Sequence, residues 1–259
     1  MIGRYLIATA ALAALLSACT SPQQQRRAEQ GRSAERALDR IGTIGDPGLV
    51  AAADVAFARM ARDEGQWTAF RRFAAPGAVI HGRNGPVPIE TYIAGRADPE
   101  VSNAWTPNTI WASCDGTLAI TFGRFQVPDG DVGSYVTVWE LQPDRSYKWT
   151  YDVGALDDPQ PEPEAGPDIP EGEDVIIVSG MSSIEGRVAD CPTRGAALAQ
   201  IPIRLAPFPT RTGDAGSDDG SLRSTWFHTA NGERRITVDW VRDGEWQEAV
   251  SFTVPPSAE

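Results

Sequence analysis

Histidine, cysteine and positive charge are all scarce in this chain of 259 residues. Two histidines and three cysteines, far apart and in none of the usual ligand spacings, do not make a metal site. Against 35 Asp and Glu there are only 23 Lys and Arg, a formal net charge of −12. That deficit argues against nucleic acid as a partner, because a phosphate backbone needs clustered cations. Glycine-rich phosphate loops and a GxSxG elbow are absent as well, and nothing in the chain calls for a cofactor. Beyond the N-terminus no apolar run approaches the roughly twenty residues that span a bilayer core. What is present is a globular composition: 41% hydrophobic, 8% aromatic and 22% charged residues.

The N-terminus reads as an export signal. Arg4 supplies the positive end, and Tyr5 to Leu16 is an apolar stretch too short to span a membrane. It runs into Leu16-Ser17-Ala18-Cys19, which resembles the lipobox of bacterial lipoproteins. The resemblance implies cleavage of residues 1–18, acylation of Cys19 and a lipid anchor in the cell envelope. Thr20 after the cysteine favours the outer membrane, facing the periplasm. Several acyl chains hold stably where one does not. Residues 19–45, rich in Gln, Arg, Glu, Ala and Ser, have too little apolar surface for a core and read as a tether.

Asp46-Pro47 is a helix start, an oxygen acceptor followed by proline in the first turn. Leu49, Ala53, Phe57 and Met60 recur at helical spacing up to Gly65. A second helix presents Trp67, Phe70 and Phe73 and ends before Pro76. Ala78–Arg83 is a strand, and Pro88–Gly95 a third short helix. Four strands follow, over Asn108–Ser113, Thr117–Gln126, Gly133–Gln142 and Tyr147–Val153, with turn residues between them.

Three stretches carry a family likeness: FARMARDEGQWTAFRRFAAPGAVIHGRNGPV, WASCDGTLAITFGRF and GSYVTVWELQPDRSYKWTYDVG. In their order they resemble the nuclear transport factor 2-like superfamily, which includes ketosteroid isomerases and SnoaL-like polyketide cyclases. The resemblance implies an α+β fold over residues 46–155: a cone-shaped, curved antiparallel sheet packed on three N-terminal helices, with a pocket at its wide end. Steroid-type enolisation needs a carboxylate base near the first strand and an oxyanion hole of a tyrosine and a protonated aspartate. Here the first strand offers His81 and the first helix Phe57, so that reaction is not expected. His81 remains as an acid–base candidate on the strand that edges the pocket, with Asp152 as its orienter. Arg124 and Tyr135, on neighbouring strands, are candidate ligand-binding residues. Trp67, Trp105, Trp111, Trp139 and Trp149 are expected mostly in the core.

Residues 156–173 hold five prolines and seven acidic residues in eighteen and form a stiff linker. Residues 174–259 make a C-terminal antiparallel β extension. Strands are expected at Asp174–Ser179 and, weakened by Pro202, at Gln200–Leu205. A meander of Leu222–His228, Arg234–Val241 and Trp246–Val254 is joined by Asn231-Gly232 and Asp243-Gly244. Thr210–Ser221 reads as a loop; its Asp214, Asp218 and Asp219 lack the spacing of a known calcium loop. Cys114 and Cys191 can pair in an oxidising compartment, which spacing alone does not decide.

Three functions fit these features. The first is an envelope lipoprotein binding a small apolar or mixed ligand in its cone domain. The second is a small-molecule enzyme of isomerase, cyclase or dehydratase type using His81. The third is an interaction module acting through the C-terminal sheet, with a second copy of the chain, as a homodimer, among its partners.

Overall fold

A computed structural model describes residues 44–162, 183–192 and 209–256. The chain divides into two units, Met1–Thr43 and Ile44–Glu259, and the described residues belong to the second. Cys19, most of the tether, most of the proline-rich linker and the strands expected at 174–179 and 200–205 lie outside them.

Helix α1, Pro47–Glu64, begins where the Asp46 carboxylate accepts the Gly48 amide at 2.8 Å. It stops at Gly65, whose φ of 116° is open to glycine at little cost. Its buried stripe is Val50, Asp54, Phe57 and Ala61. The stripe expected through Leu49 is displaced by one residue, and Leu49 is 55% exposed. Helix α2, Gln66–Phe73, follows directly. Strand β1, Ala74–Gly82, turns at Gly85 into β2, Gly85–Pro88, which leads into α3, Ile89–Ile93. Strands β3 (Ala104–Ala112), β4 (Leu118–Gln126), β5 (Val132–Leu141) and β6 (Tyr147–Leu156) form the expected meander.

Together with β7, Glu185–Val188, these strands make a seven-stranded sheet in the order β2-β1-β6-β5-β4-β3-β7. The sheet is mixed rather than antiparallel throughout. β1 runs parallel to β6, and β7 parallel to β3. The first parallel pair arises because the central meander folds back onto a strand laid down before it, across a helix and four strands of intervening chain. β7 returns from beyond the linker and is tied beside the β3–β4 turn by a disulfide between Cys114 and Cys191, Cα atoms 5.0 Å apart.

A second, antiparallel sheet has the order β11-β10-β9-β8. It comprises β8 (Pro209–Gly216), β9 (Leu222–Thr229), β10 (Arg234–Arg242) and β11 (Glu245–Val254). The Asp243-Gly244 turn has φ of 55° and 77°, the paired positive values of a tight hairpin. The segment expected as a loop, Thr210–Ser221, is a strand as far as Gly216. Seven residue pairs with β9 supply its backbone partners despite a composition poor in strand formers. Asp218 and Asp219 occupy the turn that follows. Asp219 accepts from Ser217, Ser221 and the Asp115 amide, while Asp214 faces Arg223.

The seven-stranded sheet is covered on both faces. Phe57, Ile89, Ile110, Trp139 and Trp149 build a core against the helices. Leu118, Ile120, Val136, Val138 and Tyr151 pack on Leu222, Ile236 and Val238 of the second sheet. Among the described residues no helix is long and apolar enough to cross a membrane.

Candidate functional site

Thr150 decides which groups reach which face. Val138 pairs with Tyr151 but Trp139 with Trp149, so Thr150 is an extra residue in β6. Such a bulge reverses the alternation of side chains along the strand. Trp149 stays in the helical core, Tyr151 turns to the seam between the sheets, and Asp152 comes back to the helical side. Ile80 of β1 is the parallel partner of Asp152 and packs on the same side. His81, the next residue, therefore points away from Asp152.

The helical side holds a cavity of about 230 Å³. Seven aromatic residues line it: Phe57, Trp67, Phe70, Tyr92, Trp105, Phe125 and Tyr135. Gln66, Asn103, Thr137 and Asp152 give it polar groups, and His81 borders it while its ring nitrogens bond in the seam. The volume lies between the roughly 150 Å³ that holds benzene and the roughly 300–1,000 Å³ of sites for drug-sized ligands. Gly123 makes room for one lining ring, since a Cβ there would stand 2.6 Å from Tyr135 Cε1.

Behind Tyr135 lies Asp54, the one acid in the buried stripe of α1 and 1% exposed. It accepts the Trp105 indole N–H at 3.0 Å and the Tyr135 hydroxyl at 3.2 Å. Thr121 also donates to it and itself receives the Trp139 indole N–H at 3.1 Å. Burial, only partly offset by these donors, raises Asp54 to about 6. Asp152 is enclosed by protein but open to the cavity. Its Oδ2 accepts the Thr137 hydroxyl at 2.6 Å, and burial, with the nearby Asp54 charge, raises it to about 7. Burial and the Asp54 charge also push Tyr135 well above its ordinary value. Asp152 can donate or accept a proton near neutrality.

The expected His81–Asp152 pair is not formed, because adjacent positions on parallel partner strands face opposite sides. His81 is 1% exposed in the seam between the sheets. Its Nδ1 lies 2.6 Å from the Tyr151 hydroxyl and its Nε2 3.2 Å from His228 Nδ1. The Trp226 ring stands edge-on, 5.2 Å away. Burial first, then His228, Arg234 and Arg211, lowers His81 to about 3 and keeps it neutral. With both ring nitrogens engaged it is a structural residue of the seam.

Tyr135 lies in the cavity wall and Arg124 does not. Arg124 pairs with Ser134 across β4 and β5, and its guanidinium binds the Asp157 carboxylate at 2.5 and 2.9 Å. Of the five tryptophans, Trp67 and Trp105 line the cavity, while Trp111, Trp139 and Trp149 are core. Asp54 escaped the sequence reading. Its signal is the stripe Val50-Asp54-Phe57-Ala61, at i, i+4, i+7 and i+11, in which a single acid interrupts an apolar helix face. Compared with known proteins, the chain matches no family model and no curated protein.

Proposed function

We propose that this protein is an envelope lipoprotein, acylated at Cys19, whose 46–155 region is a cone-fold domain that binds a small, mostly apolar molecule with one polar group. The observation that carries the binding reading is the aromatic cavity with Asp152 and Tyr135 in its wall. Pockets of this make-up use an apolar body for affinity and a few polar groups for orientation. The anchor reading rests on Arg4, the apolar Tyr5–Leu16 and Leu16-Ser17-Ala18-Cys19. The Cys114–Cys191 bond supports an oxidising compartment such as the periplasm. In this reading residues 209–256 are an accessory sheet on the cone.

The test uses the full chain produced in a bacterium with an outer membrane. Labelled palmitate is expected on the wild type and not on Cys19→Ala, with the wild type in the outer-membrane fraction. For the pocket, Gly82 lines the cavity with nothing within 4 Å of a Cβ built on it, so Gly82→Leu starts its side chain in open space beside the lining rings. Mass spectrometry should find a small molecule with the wild type that Gly82→Leu lacks. An identical small-molecule profile from both proteins overturns the binding reading.

A further inference from the structure

Among the described residues that line it, the cavity has a carboxylate, Asp152, but no Lys or Arg, and its one imidazole, His81, is neutral with both ring nitrogens engaged. Among the described residues Asp152, which lines the cavity, has one hydrogen-bond donor, the Thr137 hydroxyl on Oδ2, which leaves its other oxygen for a guest. Asp54, behind the Tyr135 ring, is held by Trp105, Tyr135 and Thr121, all neutral donors. The cations nearby are turned to other tasks. Arg124 is bound to Asp157 on the opposite face, and His81 is bonded to Tyr151 and His228 in the seam. Exposed Arg96 lies over the Tyr92 ring, 4.7 Å from its centre, with its Nε bonded to the Tyr92 carbonyl. A carboxylate taken out of water without a counter-charge is costly, and an empty site meets that cost by taking up a proton. A positively charged guest meets it as well, and leaves the carboxylate ionised.

The rest of the wall suits the same guest. Ring faces attract cations through their quadrupole, best when water is excluded, and seven of the fifteen lining residues are Phe, Tyr or Trp. An anion would meet the Asp152 and Asp54 charges with no fixed positive charge among the described lining residues to hold it. About 230 Å³ limits the guest to a single ring or a short branched chain.

We propose that the molecule taken up by this cavity is a small organic cation, a protonated amine or quaternary ammonium, with its charge on the open Asp152 oxygen and its apolar body among Trp67, Phe70 and Trp105. This rests on the cavity being a binding site. It adds the charge of the ligand, and the residue that reads it.

Three probes of one shape separate the two ideas on the unaltered full-length protein: 2-phenylethylammonium, 2-phenylethanol and 3-phenylpropanoate. Quenching of tryptophan fluorescence, with Trp67 and Trp105 in the wall, reports binding. The ammonium should bind at least ten times more tightly than the alcohol, and the propanoate more weakly than both. Affinity for the ammonium should rise with pH and level off above about 7, as Asp152 becomes ionised; that for the alcohol should not. The titratable groups around Asp152 are Asp54 from α1, Tyr135 from β5, Tyr92 from α3, Tyr151 beside it on β6 and His81 on the neighbouring β1, which burial keeps neutral above about 3. Tyr135 stays neutral across this range, so the rise belongs to the two acids. Asp152→Asn should lower ammonium affinity at least tenfold, flatten its pH profile and leave the alcohol within twofold. Equal binding of ammonium and alcohol, or an Asp152→Asn protein that still prefers the ammonium, overturns the cation proposal while the cavity reading stands. No saturable binding of any probe overturns both.

Discussion

The two faces of the seven-stranded sheet bury titratable groups in opposite ways. On the seam side, His81 sits between Tyr151 and His228 with both ring nitrogens engaged, among Val79, Val136 and Val138 packed on the second sheet. On the helical side, Asp152 keeps one oxygen open to a space bounded by rings. Burial favours the neutral form in both places, so the histidine is lowered and the acids raised. A buried polar group whose hydrogen bonds are complete is part of the frame, whereas one left open beside a cavity has capacity for a guest. Two adjacent residues of one strand, Tyr151 and Asp152, belong to these two different environments.

The contrast can be broken from either side. The largest effect is expected where the chain is tied together. Replacing Cys114 and Cys191 by Ser frees a loop of sequence separation 77 and should cost about 3–4 kcal/mol in urea or heat unfolding. Reduction of the wild type should give the same shift. Nearly as large is Phe57→Ala on the helical side. That ring meets Phe70, Phe73 and Trp105 at centroid distances of 4.7–5.2 Å, and its loss should cost about 3–4 kcal/mol by the same measurement.

Acid sharpens the comparison because the two faces respond with opposite sign. The native His81 binds fewer protons than its unfolded counterpart between about 3 and 6.5, so its contribution is full above 6.5 and lost as pH falls. Native Asp54 and Asp152 bind more protons than their unfolded counterparts between 3.8 and about 6–7. Their penalty is therefore absent at low pH and grows as pH rises through that window. Unfolding free energies measured from pH 8 down to 4 should rise toward acid in the wild type, because the two acids together are shifted further than the one histidine, and should lose that rise in Asp152→Asn. A His81→Phe chain should rise more steeply toward acid; an unchanged slope would place the pH sensitivity elsewhere. The smallest effect concerns Asp152 alone. At pH 8, Asp152→Asn removes a charge held out of water and should raise stability by about 1–2 kcal/mol. A loss of that size instead would mean that the carboxylate is already compensated.

Much of the local structure was legible because it is decided by near neighbours. Asp46-Pro47 starts a helix with its own oxygen, Gly65 ends it, and Asp243-Gly244 closes a hairpin through positive φ. These are preferences of short segments and need no partner. The α+β class and most strands of both sheets follow from such signals and from the spacing of apolar residues. The open points were all matters of partnership. β8 is a strand only because β9 lies beside it, and β7 adds to the sheet parallel to β3, on the far side of the linker. The Cys114–Cys191 bond depends on a distance that spacing does not carry.

For the candidate site the division is sharper. Tyr135 and Asp152 were visible as polar residues on strands that should edge a pocket. Their company was not, because an unpaired Thr150 reverses the faces of β6, and pairing register is a property of two strands. Asp54 was hidden by a stripe read one residue out of phase, in which Leu49 stood where Val50 is buried. The sequence by itself determined the elements, their order and the scarcity of cations. Only the tertiary structure decided that Asp54, Tyr135 and Asp152 share one enclosed side of the sheet while His81 faces the other, because burial and facing are set by what packs against each strand.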